Sequence, residues 1–129
     1  MLYSKSVTEI IRQRFSCRRY FEKPLEDDKR KRLIGFLSSH ATGPLGSSVR
    51  FHLIAATEQD RSSLKGLGTY GVIRGATGFI VGAVRHSKKN LEDYGYLMEC
   101  AILYATDIGL GTCWLGGTFT RSRFAKKIS

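Results

Sequence analysis

A long apolar segment decides the fold: NLEDYGYLMECAILYATDIGLGTCWLGG, residues 90–117. It predicts a helix that starts with its first residue, an asparagine, as the cap. The helix ends at Gly109, because glycine readily takes the left-handed conformation that commonly follows a helix. Residues 113–115 then predict a third, short strand, and the segment finishes on the glycine pair Gly116 and Gly117. A helix this apolar needs other elements to cover it, so the segment predicts a packed core.

The amino end predicts a short helix. Ser6 and Glu9 have the spacing of a capping box, in which a hydroxyl and a carboxylate satisfy the free amides of the first turn. Val7, Ile10 and Ile11 then give this helix an apolar face.

That helix leads directly into RFSCRRY, residues 14–20. Arg14, Arg18 and Arg19 offer planar forks of donors that match phosphate oxygens, and Ser16 adds a hydroxyl. The segment can therefore grip a phosphate or another compact anion. A solvated basic loop explains the same residues equally well on this segment alone.

The middle of the chain alternates helices with strands. Acidic residues after Pro24 favour a second helix, which runs to about His40 and packs through Leu33, Ile34, Phe36 and Leu37. Strands are predicted at residues 49–56 and 79–84. The first alternates at its start and then becomes continuously apolar, as a strand covered on two faces does, and the second is apolar on both sides; a short helix is predicted over 58–64. This order predicts one layered α/β or α+β domain over residues 1–129.

Composition narrows the function. The chain has 129 residues and a formal net charge of +10, which predicts attraction to anions without saying which. It lacks the apolar run of a membrane span and the hydrophobic region of a secretory signal, which predicts a cytoplasmic protein without membrane contact. Three widely spaced cysteines without a CxxC, and histidines without ligand spacing, argue against a disulfide framework or a metal site.

The run GLGTYG, residues 66–71, matches the dinucleotide-binding pattern only in its letters. That site requires a preceding strand and a following helix, whereas the residues before this run look helical and those after it look like a loop. The glycines are therefore interpreted as a turn.

Four segments in order, RFSCRRY, GPLGSSVRF, ATGFIVGAV and GLGTCWLGG, resemble the FMN-dependent nitroreductase family, and most closely its branch of small proteins. The resemblance implies a three-layer α+β sandwich, in which helices cover a central sheet. Family members are usually longer, so either the chain is the N-terminal portion of a longer family domain, with an incomplete fold, or a partner chain supplies the rest. The first is expected, because the long apolar helix needs more covering surface than so short a chain provides. Its basic end, Arg121, Arg123, Lys126 and Lys127, is expected to be a solvated tail.

The resemblance also implies a cofactor site. Arg14, Ser16 and Arg18 would contact the phosphate or ribityl chain of FMN, with Phe15 adding main-chain and packing contacts. Leu115, Gly116 and Gly117 would pass beside the flavin ring near its N5 and O4. No catalytic side chain is implied, because the flavin itself carries the hydride.

The implied function is an FMN-dependent NAD(P)H oxidoreductase that reduces nitroaromatics, quinones or related acceptors. Relatives are homodimers with flavin at the interface, and the apolar face of residues 91–108, including Ala101 and Ala105, is the candidate dimer surface. One alternative is a flavin-binding relative without turnover. Another is a basic nucleic-acid-binding module, which is disfavoured because the basic residues are scattered over three segments.

Overall fold

The computed structural model describes residues 2–57 and 59–129. Its elements in chain order are α1 (Val7–Gln13), α2 (Asp27–Ser39), β1 (Val49–Ala55), β2 (Gly78–Val84), α3 (Asn90–Asp107) and α4 (Arg121–Lys126). A 3₁₀ turn, Ser62–Leu64, lies between the strands. It replaces the helix predicted over 58–64, whose first residue, Glu58, lies outside the described residues.

The two strands form an antiparallel pair whose register joins Leu53 to Ile80. Side chains alternate between the two faces of a strand, so Phe51 and Leu53 share one face of β1, and they pack with Ile80 against the helices. Arg50 and His52 point to the opposite face and are exposed. The alternation at the start of this strand is therefore confirmed as one packed and one exposed face, and its apolar end is buried at Ile54 and Ala56.

Helices α2 and α3 pack against each other and against this face of the sheet. Their contacts form two small clusters of buried side chains, Leu33 with Ala105 and Ile108, and Phe36 with Leu37 and Ala101. The Phe36 ring also stacks on Tyr104 at a centroid distance of 4.3 Å. The core therefore lies between two helices and two strands.

Helix α4 covers the opposite face of the sheet at its far end. Phe124 is buried, and its ring meets Phe79 of β2 and Phe119 edge-to-face, at centroid distances of 5.0 and 5.4 Å. Ile54, which pairs with Phe79 on that face, is buried as well. The four basic residues of this end are exposed, as expected, but the segment is not a free tail, because it is helical and Phe124 anchors it.

Several helix signals are confirmed. The Ser6 side chain accepts a hydrogen bond from the Glu9 amide, which is the serine half of the predicted capping box. Gly109 has φ +87° just after α3, the left-handed conformation expected of a glycine that ends a helix.

Two helix predictions are wrong. Asn90 is the first helical residue of α3, and the cap position is Lys89. Ile34, predicted to pack, is 42% exposed.

The predicted third strand at residues 113–115 is absent from the described part of the chain, where Thr112 makes only an isolated bridge to Ser16. The fold class is confirmed as α+β, with helices covering a two-stranded antiparallel sheet. Among residues 2–57 and 59–129, none of the helices has the length and apolar character needed to cross a membrane.

Candidate functional site

The basic loop, residues 14–20, contacts the segment around Thr112, which follows α3 and lies nearly a hundred residues further along the sequence. Arg14 donates from Nε to the hydroxyl of Thr112 at 3.2 Å and from Nη2 to its carbonyl at 3.5 Å. The amide of Cys17 donates to the same carbonyl at 2.8 Å, and Ser16 pairs with Thr112 in a parallel bridge. These contacts fix the basic loop beside the segment that leads to Gly116.

Arg74 holds the second half of the loop. Its carbonyl accepts a hydrogen bond from the Tyr20 amide, and its own amide donates to the Arg18 carbonyl, both at 2.9 Å. Main-chain bonds thus fix the loop on two sides. Within the described residues, neither Arg14 nor Arg18 forms an ion pair with a carboxylate. Their positive charge is therefore available to an external anion.

Gly111 allows the two segments to approach closely. A Cβ atom at this position would lie 2.8 Å from Sγ of Cys17 and 3.3 Å from the Tyr20 ring, so any larger residue would push the segments apart. Tyr20 is half-buried in this contact. Its burial raises its pKa well above the ordinary range, and the phenol stays neutral at physiological pH.

The segment that follows Thr112 and ends in Gly116 and Gly117, here called the glycine run, is largely exposed. Trp114 donates from its indole nitrogen to the Glu99 carboxylate of α3 at 3.1 Å, which ties the start of the run to the helix. Gly116 and Gly117 are exposed, and a Cβ atom at either would meet nothing within 4 Å. Their main chain can therefore be approached by a flat molecule, and their amides can act as donors to it.

The family described as "Putative TM nitroreductase" matches residues 6–129, from the cap of α1 to the end of the chain. The chain belongs to this nitroreductase family. Its general chemical class is therefore oxidoreductase. No curated protein and no solved structure matches the chain. The matched range contains both segments that meet at Thr112.

Within this nitroreductase, the structure brings together some of the predicted site residues. Arg14 and Ser16 lie directly at the junction with Thr112, and Leu115 follows three residues later, half-buried. The Arg18 side chain is exposed, and that of Phe15 is 68% exposed. The roles of these residues as cofactor ligands stay predictions.

Two residues important to this geometry have no sequence motif. Thr112 is an isolated threonine in a glycine-rich run, and only the tertiary pairing shows that it receives Arg14. Asp93 is fully buried in α3 and accepts from the amides of Leu45 and Ser47, at 2.9 and 2.8 Å. A charged residue on a helix at position 93 could equally have faced solvent, so periodicity alone did not single it out.

Burial acts to raise the pKa of Asp93, but the amide hydrogen bonds outweigh it and hold the pKa below its ordinary value. The carboxylate is therefore ionised at physiological pH and serves as an anchor for the glycine-rich loop before β1. A methyl group on Gly43 would overlap this carboxylate, so the loop and the helix are in direct contact.

The predicted dimer surface on α3 is wrong for Ala101 and Ala105. They are only 1% and 3% exposed in the isolated chain, and they contact α2 within its own core. The long apolar helix is covered by the nitroreductase's own second helix and sheet, so no partner is required to cover this face.

Residues 66–71, here called the glycine loop, form a loop as the sequence indicated. Gly66 and Gly71 have positive φ values of +81° and +82°, the run follows a 3₁₀ turn, and the next element is the antiparallel strand β2. In the described ranges, residues 2–57 and 59–129, no group of three or more His, Cys, Asp or Glu side chains is placed to hold a metal ion.

Proposed function

We propose that this nitroreductase is an FMN-dependent NAD(P)H oxidoreductase that reduces nitroaromatics, quinones or related acceptors. The observation that carries the proposal is the junction at Thr112, where Arg14 joins the basic loop to the glycine run. Charge for a phosphate and open main chain for a ring thus occur in segments that are in contact, although they are far apart in sequence.

The chemistry of the donors fits FMN. Arg14 and Arg18 are cations without ion pairs among the described residues, and Ser16 offers a hydroxyl beside them. A phosphate with nearly two negative charges favours more than one cation. Gly116 and Gly117 have open space where a side chain would stand, so they can accommodate the flavin ring.

When bound, FMN supplies the hydride chemistry between NAD(P)H and the acceptor. The chain supplies binding and orientation. Thr112 fixes the direction of the Arg14 guanidinium through a side-chain and a main-chain acceptor. Amides of the glycine run are suited to stabilise negative charge on the ring, and Phe15 contributes packing beside the phosphate-binding residues.

We also propose a homodimer with flavin at the interface, formed through the outer side of α1. Val7 and Ile11 lie one turn apart on this helix and are 43% and 55% exposed, and Phe15 follows them at 68% exposed. This apolar row ends beside Arg14. A second subunit that covers it would also close over the basic loop.

The test begins with the visible absorbance of protein reconstituted with FMN and with oxidation of NADPH or NADH in the presence of a quinone. We expect bound flavin and turnover. Arg14→Gln should weaken FMN binding by about 10-fold or more, because a charge-assisted contact is lost.

Arg12→Gln is the matched control, since it removes the same charge from an exposed position in α1. It should bind FMN like the wild type. Equal FMN affinity in the Arg14 and Arg12 variants would contradict the assigned site. Flavin binding without turnover would instead indicate a binding-only relative.

A further inference from the structure

The formal net charge of +10 is confined to two segments of the chain. Residues 61–91 carry six Lys and Arg, residues 108–129 carry four, and neither segment contains an Asp or a Glu. The remaining residues carry eleven charges of each sign and are neutral in sum. Where these two segments meet, the basic side chains of neither are balanced by a carboxylate of their own segment.

They meet where the start of α4 contacts the glycine loop. The Thr120 amide donates to the Gly68 carbonyl at 2.9 Å, and the Gly68 amide donates to the Thr120 hydroxyl at 3.0 Å. The Arg123 side chain crosses Gly66, where a Cβ atom would lie 2.9 Å from its guanidinium. Gly66 has φ +81°, a conformation that favours glycine, and the Arg123 side chain lies directly over it.

An open cavity of about 690 Å³ lies at this contact, and we call it the arginine groove. Its lining includes Tyr70, Phe119, Thr120, Arg121, Ser122 and Arg123. Tyr70 lines the groove, is 74% exposed and has φ +53°, an unfavourable conformation for a tyrosine. Strained backbone of this kind is common where a ligand is bound.

The groove combines two kinds of recognition. In the described part of the chain, Arg121 and Arg123 form no ion pair, so their planar forks are free to take a phosphate in two-pronged contacts. Tyr70, which is largely exposed, offers an aromatic ring on which a nucleobase can stack, and Phe119 lines the groove beside it. Together these groups favour a phosphorylated nucleoside over a simple anion or an apolar molecule.

We propose that the arginine groove binds the adenosine 2′-phosphate of NADPH, which makes NADPH rather than NADH the reductant. This inference rests on the proposed function for the nicotinamide end of the same molecule. Gly117 and Arg121 are four residues apart, and four extended residues span at most about 14 Å. One dinucleotide can therefore reach from the glycine run into the groove.

The test is calorimetric titration of the purified protein with 2′,5′-ADP and, separately, with 5′-AMP. We expect 2′,5′-ADP to bind about 10-fold tighter or more, because only it carries the 2′-phosphate. Arg121→Gln and Arg123→Gln should each remove most of this preference. Lys126→Gln is the matched control: it removes one positive charge from the same helix outside the groove lining, and it should bind like the wild type.

Equal affinity for the two nucleotides would overturn the proposal, as would a loss in Lys126→Gln as large as in the arginine variants. Tighter binding of a single-stranded oligonucleotide than of 2′,5′-ADP would also overturn it and would indicate a nucleic-acid surface. The titration requires neither flavin nor turnover. It therefore fails independently of the proposed function, which FMN binding and quinone reduction test.

Discussion

At the scale of single residues, Asp93 makes the clearest prediction. Its carboxylate lies in the core and satisfies two amides of the loop before β1. Asp93→Asn has the same shape, but an amide group cannot accept through both of its terminal atoms, so one buried N–H loses its partner. We expect a lower Tm near pH 7, measured by circular dichroism.

The pH dependence of this effect has a definite sign. The folded-state pKa of Asp93 lies below its unfolded value, so the carboxylate contributes its stability above about pH 4. That contribution is lost as the pH falls through the folded-state pKa, and the difference between wild type and Asp93→Asn should shrink there. Glu92→Gln, which is exposed, is the control and should change Tm little at either pH. A constant difference down to acid pH would contradict this role.

The sequence predicted the roles of residues that act on their immediate neighbours in the chain. The Ser6 cap and the Gly109 stop depend on neighbours within one turn, and both are confirmed. Thr112 and Asp93 act on partners about fifty to a hundred positions away, so their roles depend on the tertiary fold. No local pattern distinguishes them from other polar residues in similar positions.

At the scale of elements, α3 shows why periodicity does not identify what covers a helix. Its apolar face is covered by α2 and the sheet, whereas the sequence suggested a partner subunit. We expect Ala101→Arg to lower the free energy of unfolding by about 4 kcal/mol or more, because it places a charge in a packed core. Leu91→Arg, at a position that is 73% exposed on the same helix, should change it by less than about 0.5 kcal/mol.

Denaturant titration of both variants measures these differences. A stable, monomeric Ala101→Arg protein would indicate that Ala101 lies in a dimer interface and would contradict the core described above.

The third strand predicted at residues 113–115 is absent because strand formation, like the cover of α3, depends on distant parts of the chain. An apolar run becomes a strand only where another edge pairs with it, and Ser16 offers Thr112 a single bridge.

Across the whole molecule, positive charge is distributed unevenly between two parts of the chain. The neutral part contains most of the helical core and the basic loop that joins Thr112, while the excess of positive charge belongs to residues 61–91, on both sides of β2, and to residues 108–129 after α3. The total charge was visible in the composition. The contact of Arg121 and Arg123 with the glycine loop was not, because the glycine loop and α4 come together only through the fold.

The proposed dimer gives the last prediction. With α3 covered, the exposed apolar row of α1 is the part of the surface that a partner would bury beside Arg14. Ile11→Lys should convert the dimer to monomer in sedimentation experiments and weaken FMN binding, since a partially completed site loses its cover. Ile34→Lys, also at an exposed isoleucine but on α2, should stay dimeric. A wild-type monomer that binds FMN fully would show that one chain completes the site without the apolar row.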